Sequence, residues 1–173
     1  MYLLLCQSFP QLAQREVISV LVPKRSGDTG MHITPAFVAG FTLATSGALL
    51  RWWCYQILGP DYTFVLTIRK NHALKTTGPY TIVRHPGYAA GILYGLSSSL
   101  CHFGEGSWWQ ESGMSETTSG RVVGLAFLVW SCTLFGSALR RIQIEDDVLK
   151  HVFGEQWEAW AKKTPYAVLP YVY

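Results

Sequence analysis

Hydrophobic residues are concentrated in three stretches that contain no charged side chain. These stretches run from Ile33 to Leu50, from Tyr88 to Phe103 and from Val122 to Leu139. A helix needs about 20 apolar residues to cross a bilayer, so each stretch is near the short end of the required length. The pattern predicts an all-α integral membrane bundle with at least three transmembrane helices. The alternative is a set of buried helices in a soluble protein.

The first stretch has two further features of a membrane helix. Arg51 follows it directly and can snorkel toward water, and Trp52 and Trp53 suit the interfacial belt. Gly40 and Gly47 lie two helical turns apart within the stretch, which provides a small-residue face for close helix packing.

The first 32 residues differ from the rest of the chain. Their two short apolar patches are separated by Arg15 and Glu16, and no basic region precedes the first patch, so a signal peptide is not supported. We expect residues 1–32 to form a peripheral or partial membrane segment and residues 33–173 to form the main membrane domain. A truncated start fits the same pattern.

A Gly-Pro turn and an Arg-His-Pro sequence mark the entrance to the second apolar stretch. Residues 78–91, GPYTIVRHPGYAAG, are called the elbow below. Pro86 pushes His85 toward an extended conformation, so a helix is expected to begin after it. An imidazole and a guanidinium at a helix start form a plausible ligand site. The alternative is a tight turn at the membrane surface, with Arg84 facing lipid headgroups.

The tail from Arg141 to Tyr173 is charged and amphipathic. Arg141 and Glu145 are four residues apart and share one helical face. Gly154 is expected to end this helix, and residues 156–163 to form a second one, which together predict a cytosolic C-terminal helical hairpin. The alternative is a hairpin lying on the membrane, with Arg141 and Glu145 forming a solvated ion pair.

The distribution of charge predicts the orientation of the membrane domain. Charged residues make up 14% of the chain, compared with about 25% in typical soluble domains. The connector from Arg51 to Arg84 and the tail carry most of the lysines and arginines, whereas the loop between the second and third stretches has three glutamates and Arg121. The positive-inside rule therefore places the connector and the tail in the cytosol.

Several classes of function have no support in the sequence. A net charge of +3 without a basic, aromatic-rich run does not indicate nucleic acid binding. The four cysteines are scattered singly in apolar segments, so neither a metal site nor a disulfide framework is expected. Motifs of serine hydrolases, zinc proteases, P-loop proteins and Rossmann proteins are missing.

The predicted topology brings the elbow, the basic connector and the tail helix to one face of the membrane. The connector includes a short β-prone run, Tyr62 to Ile68, followed by His72. Together these segments supply cations, imidazoles and a carboxylate at a boundary between water and lipid. Such a site suits a polar, charged cofactor that meets a lipid-like substrate.

Two motifs in this order resemble the isoprenylcysteine carboxyl methyltransferase family and related membrane methyltransferases. The first is the elbow, with the pattern GxYxxxRHPxY, and the second is the tail sequence RIQIEDDVLKHVFGEQW from residue 141. The resemblance covers about residues 47 to 170. It implies a multi-pass enzyme of the endoplasmic reticulum membrane that uses S-adenosylmethionine and faces the cytosol. Its implied partners are membrane lipids and a prenylated protein or other lipid-like substrate, with neither nucleic acid nor metal.

The resemblance also implies roles for individual residues. Arg141 would bind the carboxylate of the prenylated cysteine as the catalytic residue. The implied cofactor-binding residues are His72, Ala73, Leu74, Lys75, Tyr80, His85, Pro86, Gly87, Tyr88 and Glu145.

The chain departs from the family pattern at several positions. Leu66 or Thr67 stands where a glutamine is frequent, Asp146 replaces a second glutamate, and Trp157 replaces a tyrosine. The final residues are closer to those of membrane sterol reductases. The alternatives to a prenylcysteine methyltransferase are therefore a methyltransferase for another amphiphile such as a phospholipid amine, a reductase that uses NADPH, and a membrane adaptor without turnover.

Overall fold

The computed structural model describes residues 33–62 and 73–173. Within these two ranges all regular secondary structure is helical, which confirms the all-α prediction. The predictions for residues 1–32, for His72 and for all but the first residue of the run Tyr62 to Ile68 lie outside the described residues.

Five α-helices follow one another in the described ranges. They are α1 (Pro35–Leu58), α2 (Pro86–Phe103), α3 (Trp108–Glu111), α4 (Thr118–Phe153) and α5 (Glu155–Lys163). Short 3-10 turns occur at Gly59–Asp61, Gly78–Thr81 and Met114–Glu116. Thr34 caps α1 by accepting a hydrogen bond of 3.2 Å from the Phe37 amide, and Pro35 occupies the first helical position, where it needs no donor.

Helices α1 and α2 pack against each other at two glycines. A Cβ atom on Gly47 would lie 3.0 Å from the carbonyl oxygen of Ala90, and one on Gly40 would lie 3.2 Å from the carbonyl oxygen of Ser97. The absence of side chains therefore lets the two backbones approach closely. These contacts confirm the small-residue face expected from the sequence.

Helix α4 is longer than the sequence pattern suggested. The apolar run Val122 to Leu139 and the charged start of the tail form one continuous helix of 36 residues. The change from apolar to charged residues resembled a boundary, but it contains neither glycine nor proline, and its Leu, Arg, Gln and Glu residues are good helix formers. The charged end of α4 is thus a rigid extension of its apolar part.

Helix α4 is the only described helix whose length and apolar composition suit a membrane span. Its most apolar window of 18 residues has a mean hydropathy of 2.0, and none of that window is buried. Every window of 18 residues in α1 includes Arg51, and α2 contains glycines, serines, two tyrosines and His102, which keep the mean hydropathy of both helices lower. The bundle of three spans therefore stays a prediction.

The C-terminal segment, residues 164–173, packs between α2 and α4. Ile142 of α4 forms a buried cluster with Ala167 and Val168, and Tyr88 and Leu139 pack against it. The apolar face of α5 also points inward, since Trp160 is buried and its indole N–H donates to the Tyr80 carbonyl at 3.2 Å. Because that face is covered by protein, α5 does not lie on the membrane through its tryptophans.

Candidate active site

The elbow is held in place by the C-terminal segment. Its 3-10 turn begins at Gly78, whose φ of +60° favours glycine. The amides of Arg84 and His85 donate hydrogen bonds to the carbonyls of Tyr166 and Ala167, at 2.9 and 2.7 Å. Helix α2 then starts at Pro86, as the sequence predicts. The side chain of His85 is thereby fixed at the start of α2.

Two acidic residues of α4 meet the His85 imidazole. Its Nε2 atom lies 2.9 Å from Oδ1 of Asp146, and its Nδ1 atom lies 3.5 Å from Oε2 of Glu145. The His85 side chain is only 6% exposed. A histidine from the elbow and a carboxylate pair from α4 therefore form one buried contact, although 61 residues separate His85 from Asp146 in sequence.

Three further side chains complete the set of polar contacts. Tyr88 donates its hydroxyl to Glu145 at 2.8 Å, and Arg141 donates from Nε to the same Glu145 oxygen at 2.9 Å. Arg84 pairs with Asp146 at 3.0 Å. The His85 cluster is the name used below for the six residues Arg84, His85, Tyr88, Arg141, Glu145 and Asp146.

The electrostatics of the His85 cluster favour its charged forms. Burial alone would lower the pKa of His85, but hydrogen bonds to Asp146 and Glu145 outweigh burial and raise this pKa above its ordinary value. Burial would raise the pKa of both carboxyls, but their bonds to His85 and to the two arginines lower each pKa below its ordinary value. The cluster is therefore an ionic network rather than a set of neutral hydrogen bonds.

We predict that stability declines on both sides of mildly acidic pH. The raised pKa of His85 stabilises the folded state. This stabilisation is complete below the unfolded pKa of about 6.5 and is lost as pH rises through the folded pKa. The lowered pKa values of Glu145 and Asp146 also stabilise the folded state. This stabilisation is present above about pH 4 and is lost as pH falls through the folded pKa values. Thermal unfolding of the purified chain from about pH 2 to about pH 9 measures both declines.

A His85→Gln variant provides the comparison for this prediction. It should be less stable than the wild type at about pH 6 and should lose the alkaline decline, because glutamine does not titrate. The matched control is His151→Gln, which changes an exposed histidine of α4. An alkaline decline of the same size in His85→Gln would contradict the assignment.

Tyr80 lies close to the His85 cluster. Burial raises the pKa of its hydroxyl, and the neighbouring Cys54 thiol and Glu145 carboxylate raise it further, whereas Arg51 opposes them. Tyr80 is therefore neutral at physiological pH and lies between α1 and the carboxylates of α4.

The structure brings together most of the residues that the sequence indicated. His85, Tyr88, Arg141 and Glu145 are in direct contact, Pro86 and Gly87 lie between two of them in the chain, and Tyr80 is adjacent. Ala73, Leu74 and Lys75 belong to an irregular segment that leads to the elbow. Ala73 and Leu74 make no hydrogen bond to the His85 cluster in this structure.

Sequence reasoning did not predict the contacts of Asp146. This residue stands out in the sequence only as a departure from a glutamate, yet it binds both Arg84 and His85. The sequence groups Arg84 with His85 as a candidate ligand site, with lipid headgroups as the alternative, and in the structure Arg84 faces Asp146. One feature of the sequence could have indicated these contacts. The basic dipeptide Arg84-His85 is complementary in charge to the acidic dipeptide Glu145-Asp146.

Comparisons with known proteins agree with the resemblance seen in the motifs. The model of the isoprenylcysteine carboxyl methyltransferase (ICMT) family matches residues 39–104. The chain is 28% identical over 137 residues to protein-S-isoprenylcysteine O-methyltransferase B of Arabidopsis thaliana, a match that covers 77% of the chain and 58% of the relative. It is 23% identical over 137 residues to a probable protein-S-isoprenylcysteine O-methyltransferase of Oryza sativa subsp. indica, covering 77% of the chain and 60% of the relative.

These comparisons have a limited extent. The chain spans less than two thirds of the length of these curated relatives. The matched family region contains α1, the elbow and α2, and it ends before α4. No solved structure matches the chain.

Proposed function

We propose that this chain, in which residues 39–104 match the model of the isoprenylcysteine carboxyl methyltransferase family, transfers a methyl group from S-adenosylmethionine to the C-terminal carboxylate of an isoprenylated cysteine. The observation that supports this most directly is the contact of His85 with Glu145 and Asp146, which joins the elbow to the charged end of α4. The relatives reported above are named as prenylcysteine methyltransferases, which favours this acceptor over a phospholipid amine and over the reductase alternative.

The donor set fits a cofactor that carries positive charge on its sulfur and its amino group. Glu145 and Asp146 supply two carboxylates, and the hydroxyl of Tyr88 contacts Glu145 at 2.8 Å. Carboxylates and aromatic faces both stabilise bound cations. When bound, S-adenosylmethionine would supply an electrophilic methyl group. Tyr80, the residues from His85 to Tyr88, and Glu145 would hold it, together with the segment from His72 to Lys75.

Arg141 is the proposed residue for the acceptor carboxylate. Its side chain is 48% exposed, and its guanidinium is oriented by the Nε bond to Glu145. A guanidinium binds a carboxylate in a bidentate manner, which aligns the acceptor oxygen for an in-line displacement. A C-terminal carboxylate is already ionised at neutral pH, so orientation and exclusion of water are needed and a general base is not.

The proposed setting is a multi-pass protein of the endoplasmic reticulum membrane with its active site facing the cytosol. Helices α1, α2 and the apolar part of α4 would cross the bilayer. The end of α1, the start of α2 and the charged end of α4 meet in one place, through the bond of Arg51 to Gly87 and the contacts of His85. Three crossings bring these ends to one side, and the positive-inside rule makes that side cytosolic.

The direct test is methyl transfer by the purified full chain in detergent. We expect labelled methyl from S-adenosylmethionine to appear as a base-labile ester on N-acetyl-S-farnesylcysteine. Neither N-acetylcysteine, which lacks the lipid, nor the carboxamide of the farnesylated compound should accept it. Binding of NADPH instead of S-adenosylmethionine would favour the reductase alternative, and binding of neither would favour the adaptor.

Arg141→Ala separates binding from turnover. We expect cofactor affinity to change by no more than about twofold, whereas turnover falls by about 100-fold, because the acceptor carboxylate loses its charged partner. Arg140→Ala is the matched control, since it removes the neighbouring exposed arginine. Unchanged turnover of Arg141→Ala would remove Arg141 from the acceptor role.

A further inference from the structure

Arg51 lies on the face of α1 that packs against α2. Gly47, Arg51 and Cys54 are four and three residues apart, which places them on one side of the helix. A Cβ atom on Gly47 would lie 3.0 Å from the Ala90 carbonyl, and Cys54 is buried, so this side is the inner one. Trp52 and Trp53 are exposed on the other side. Arg51 therefore extends along the α1–α2 interface and not into lipid.

The guanidinium of Arg51 reaches the start of α2, next to the His85 cluster. Its Nη1 atom donates to the Gly87 carbonyl at 3.1 Å, and its Nε atom donates to the Tyr55 hydroxyl at 2.7 Å. Gly87 directly precedes Tyr88, which itself donates to Glu145. Arg51 is therefore connected through Gly87 to Tyr88, a member of the His85 cluster.

Arg51 differs from the two arginines of the His85 cluster in its partners. Arg84 is paired with Asp146 and Arg141 with Glu145. The described partners of Arg51 are the Gly87 carbonyl and the hydroxyls of Tyr55 and Tyr62, all neutral oxygens. None of the acidic side chains that the structure describes forms an ion pair with it. A guanidinium forms its strongest hydrogen bonds with a carboxylate, in a bidentate geometry.

The balance of charge at this end of α2 points in the same direction. In the His85 cluster the carboxylates of Glu145 and Asp146 face two guanidiniums and the His85 imidazole. Arg51 adds a further positive charge, and no carboxylate among the described side chains is paired with it. An excess of positive charge beside a low-dielectric membrane boundary attracts an anionic ligand.

We propose that Arg51 binds a ligand carboxylate at the start of α2, beside the His85 cluster. The inference rests on the proposed function, which offers this chemistry from two sources. One is the α-carboxylate of the methyl donor, and the other is the carboxylate of the acceptor. In either case Arg51 is a binding residue that the sequence analysis did not assign.

The first experiment tests the methyl donor as the source. Arg51→Gln retains a donor for the Gly87 carbonyl but removes the charge, and Arg51→Lys retains the charge. Calorimetry measures the Kd of S-adenosylhomocysteine, which has the carboxylate, and of methylthioadenosine, which lacks the amino-acid part. If the methyl donor is the source, Arg51→Gln raises the Kd of S-adenosylhomocysteine by about tenfold and leaves the Kd of methylthioadenosine unchanged. Arg51→Lys then restores part of the affinity for S-adenosylhomocysteine.

The second experiment tests the acceptor as the source. If the acceptor carboxylate binds Arg51, the Kd of S-adenosylhomocysteine is unchanged in Arg51→Gln. The KM of N-acetyl-S-farnesylcysteine then rises by about tenfold, while the inhibition constant of its carboxamide stays the same. Arg140→Gln is the matched control in both experiments, because it removes an exposed arginine outside the His85 cluster.

Three results would overturn the inference. If the Kd, the KM and the inhibition constant of Arg51→Gln all equal those of the wild type, Arg51 only supports the Gly87 backbone or contacts lipid headgroups. An equal loss for ligands with and without the carboxylate would show a purely structural role. If the wild type binds S-adenosylhomocysteine and Arg51→Gln gives either of these results, the inference fails and the proposed function stands. If the wild type binds neither S-adenosylhomocysteine nor methylthioadenosine, the inference and the proposed function both fail.

Discussion

His85→Ala and Glu145→Ala should each weaken the binding of S-adenosylmethionine by about 100-fold or more. The His85 and Glu145 side chains are only 6% and 19% exposed and lie 3.5 Å apart, and removal of one member of such a buried pair leaves the other uncompensated, which costs about 2–5 kcal/mol. Arg141 differs because its side chain is 48% exposed. Equilibrium binding of labelled cofactor to the purified chain measures the effect. Glu145→Gln should give a similar loss, because it keeps the shape of the side chain without its charge.

Exposed residues of the same types provide the controls for this prediction. His151 and Glu155 are exposed and lie outside the His85 cluster, so His151→Ala and Glu155→Ala should bind the cofactor like the wild type. Circular dichroism of every variant confirms that the helices are retained. Wild-type affinity in a folded His85→Ala variant would contradict the proposed cofactor site.

Arg84→Ala should destabilise the protein by about 3 kcal/mol, since breaking a buried ion pair leaves a charge without its partner. Arg84 binds Asp146 through two nitrogens and donates to the carbonyls of Thr164 and Pro165. The side chains of Arg84 and Asp146 are only 15% and 16% exposed. For a chain of this size, the loss corresponds to a decrease in Tm of about 6–12 °C.

The Lys150–Glu158 ion pair provides the comparison for Arg84. It joins α4 to α5 at 3.2 Å, but its side chains are 55% and 49% exposed. Lys150→Ala should therefore cost less than about 1 kcal/mol. Thermal unfolding followed by tryptophan fluorescence measures both variants under the same conditions. Equal decreases in Tm would show that Arg84 is no more than another surface charge.

The helices could be predicted from local sequence because their signals are local. The charge-free stretches predicted α1, α2 and the apolar part of α4, and Pro86 predicted the start of α2. The length of α4 could not be predicted by the same reasoning. A change in polarity after Leu139 suggested a new element, although the backbone needs glycine, proline or a cap to end a helix there.

The contacts of the site depend on tertiary structure and were harder to predict from local sequence. The meeting of His85 with Glu145 was inferred from topology and from the family resemblance, and the structure places the two in contact. Asp146 was missed because an aspartate beside a glutamate carries no local signal that it will bind Arg84 from another element. Arg51 was interpreted as an interfacial cation, because its distance from Gly87 follows only from the packing of α1 on α2.

The hydrogen bonds between the elbow and the C-terminal segment determine the order in which the protein can assemble. Helices α1 and α2 are neighbours in the chain, so they can pack soon after both are synthesised. The hydrogen bond from Arg84 to the Thr164 carbonyl can form only later, because Thr164 lies 80 residues further along the chain. Contacts of such separation form late because a long loop has to close first. A nascent chain that stops before the C-terminal segment would therefore contain all six residues of the His85 cluster but not the hydrogen bonds that hold the elbow against that segment.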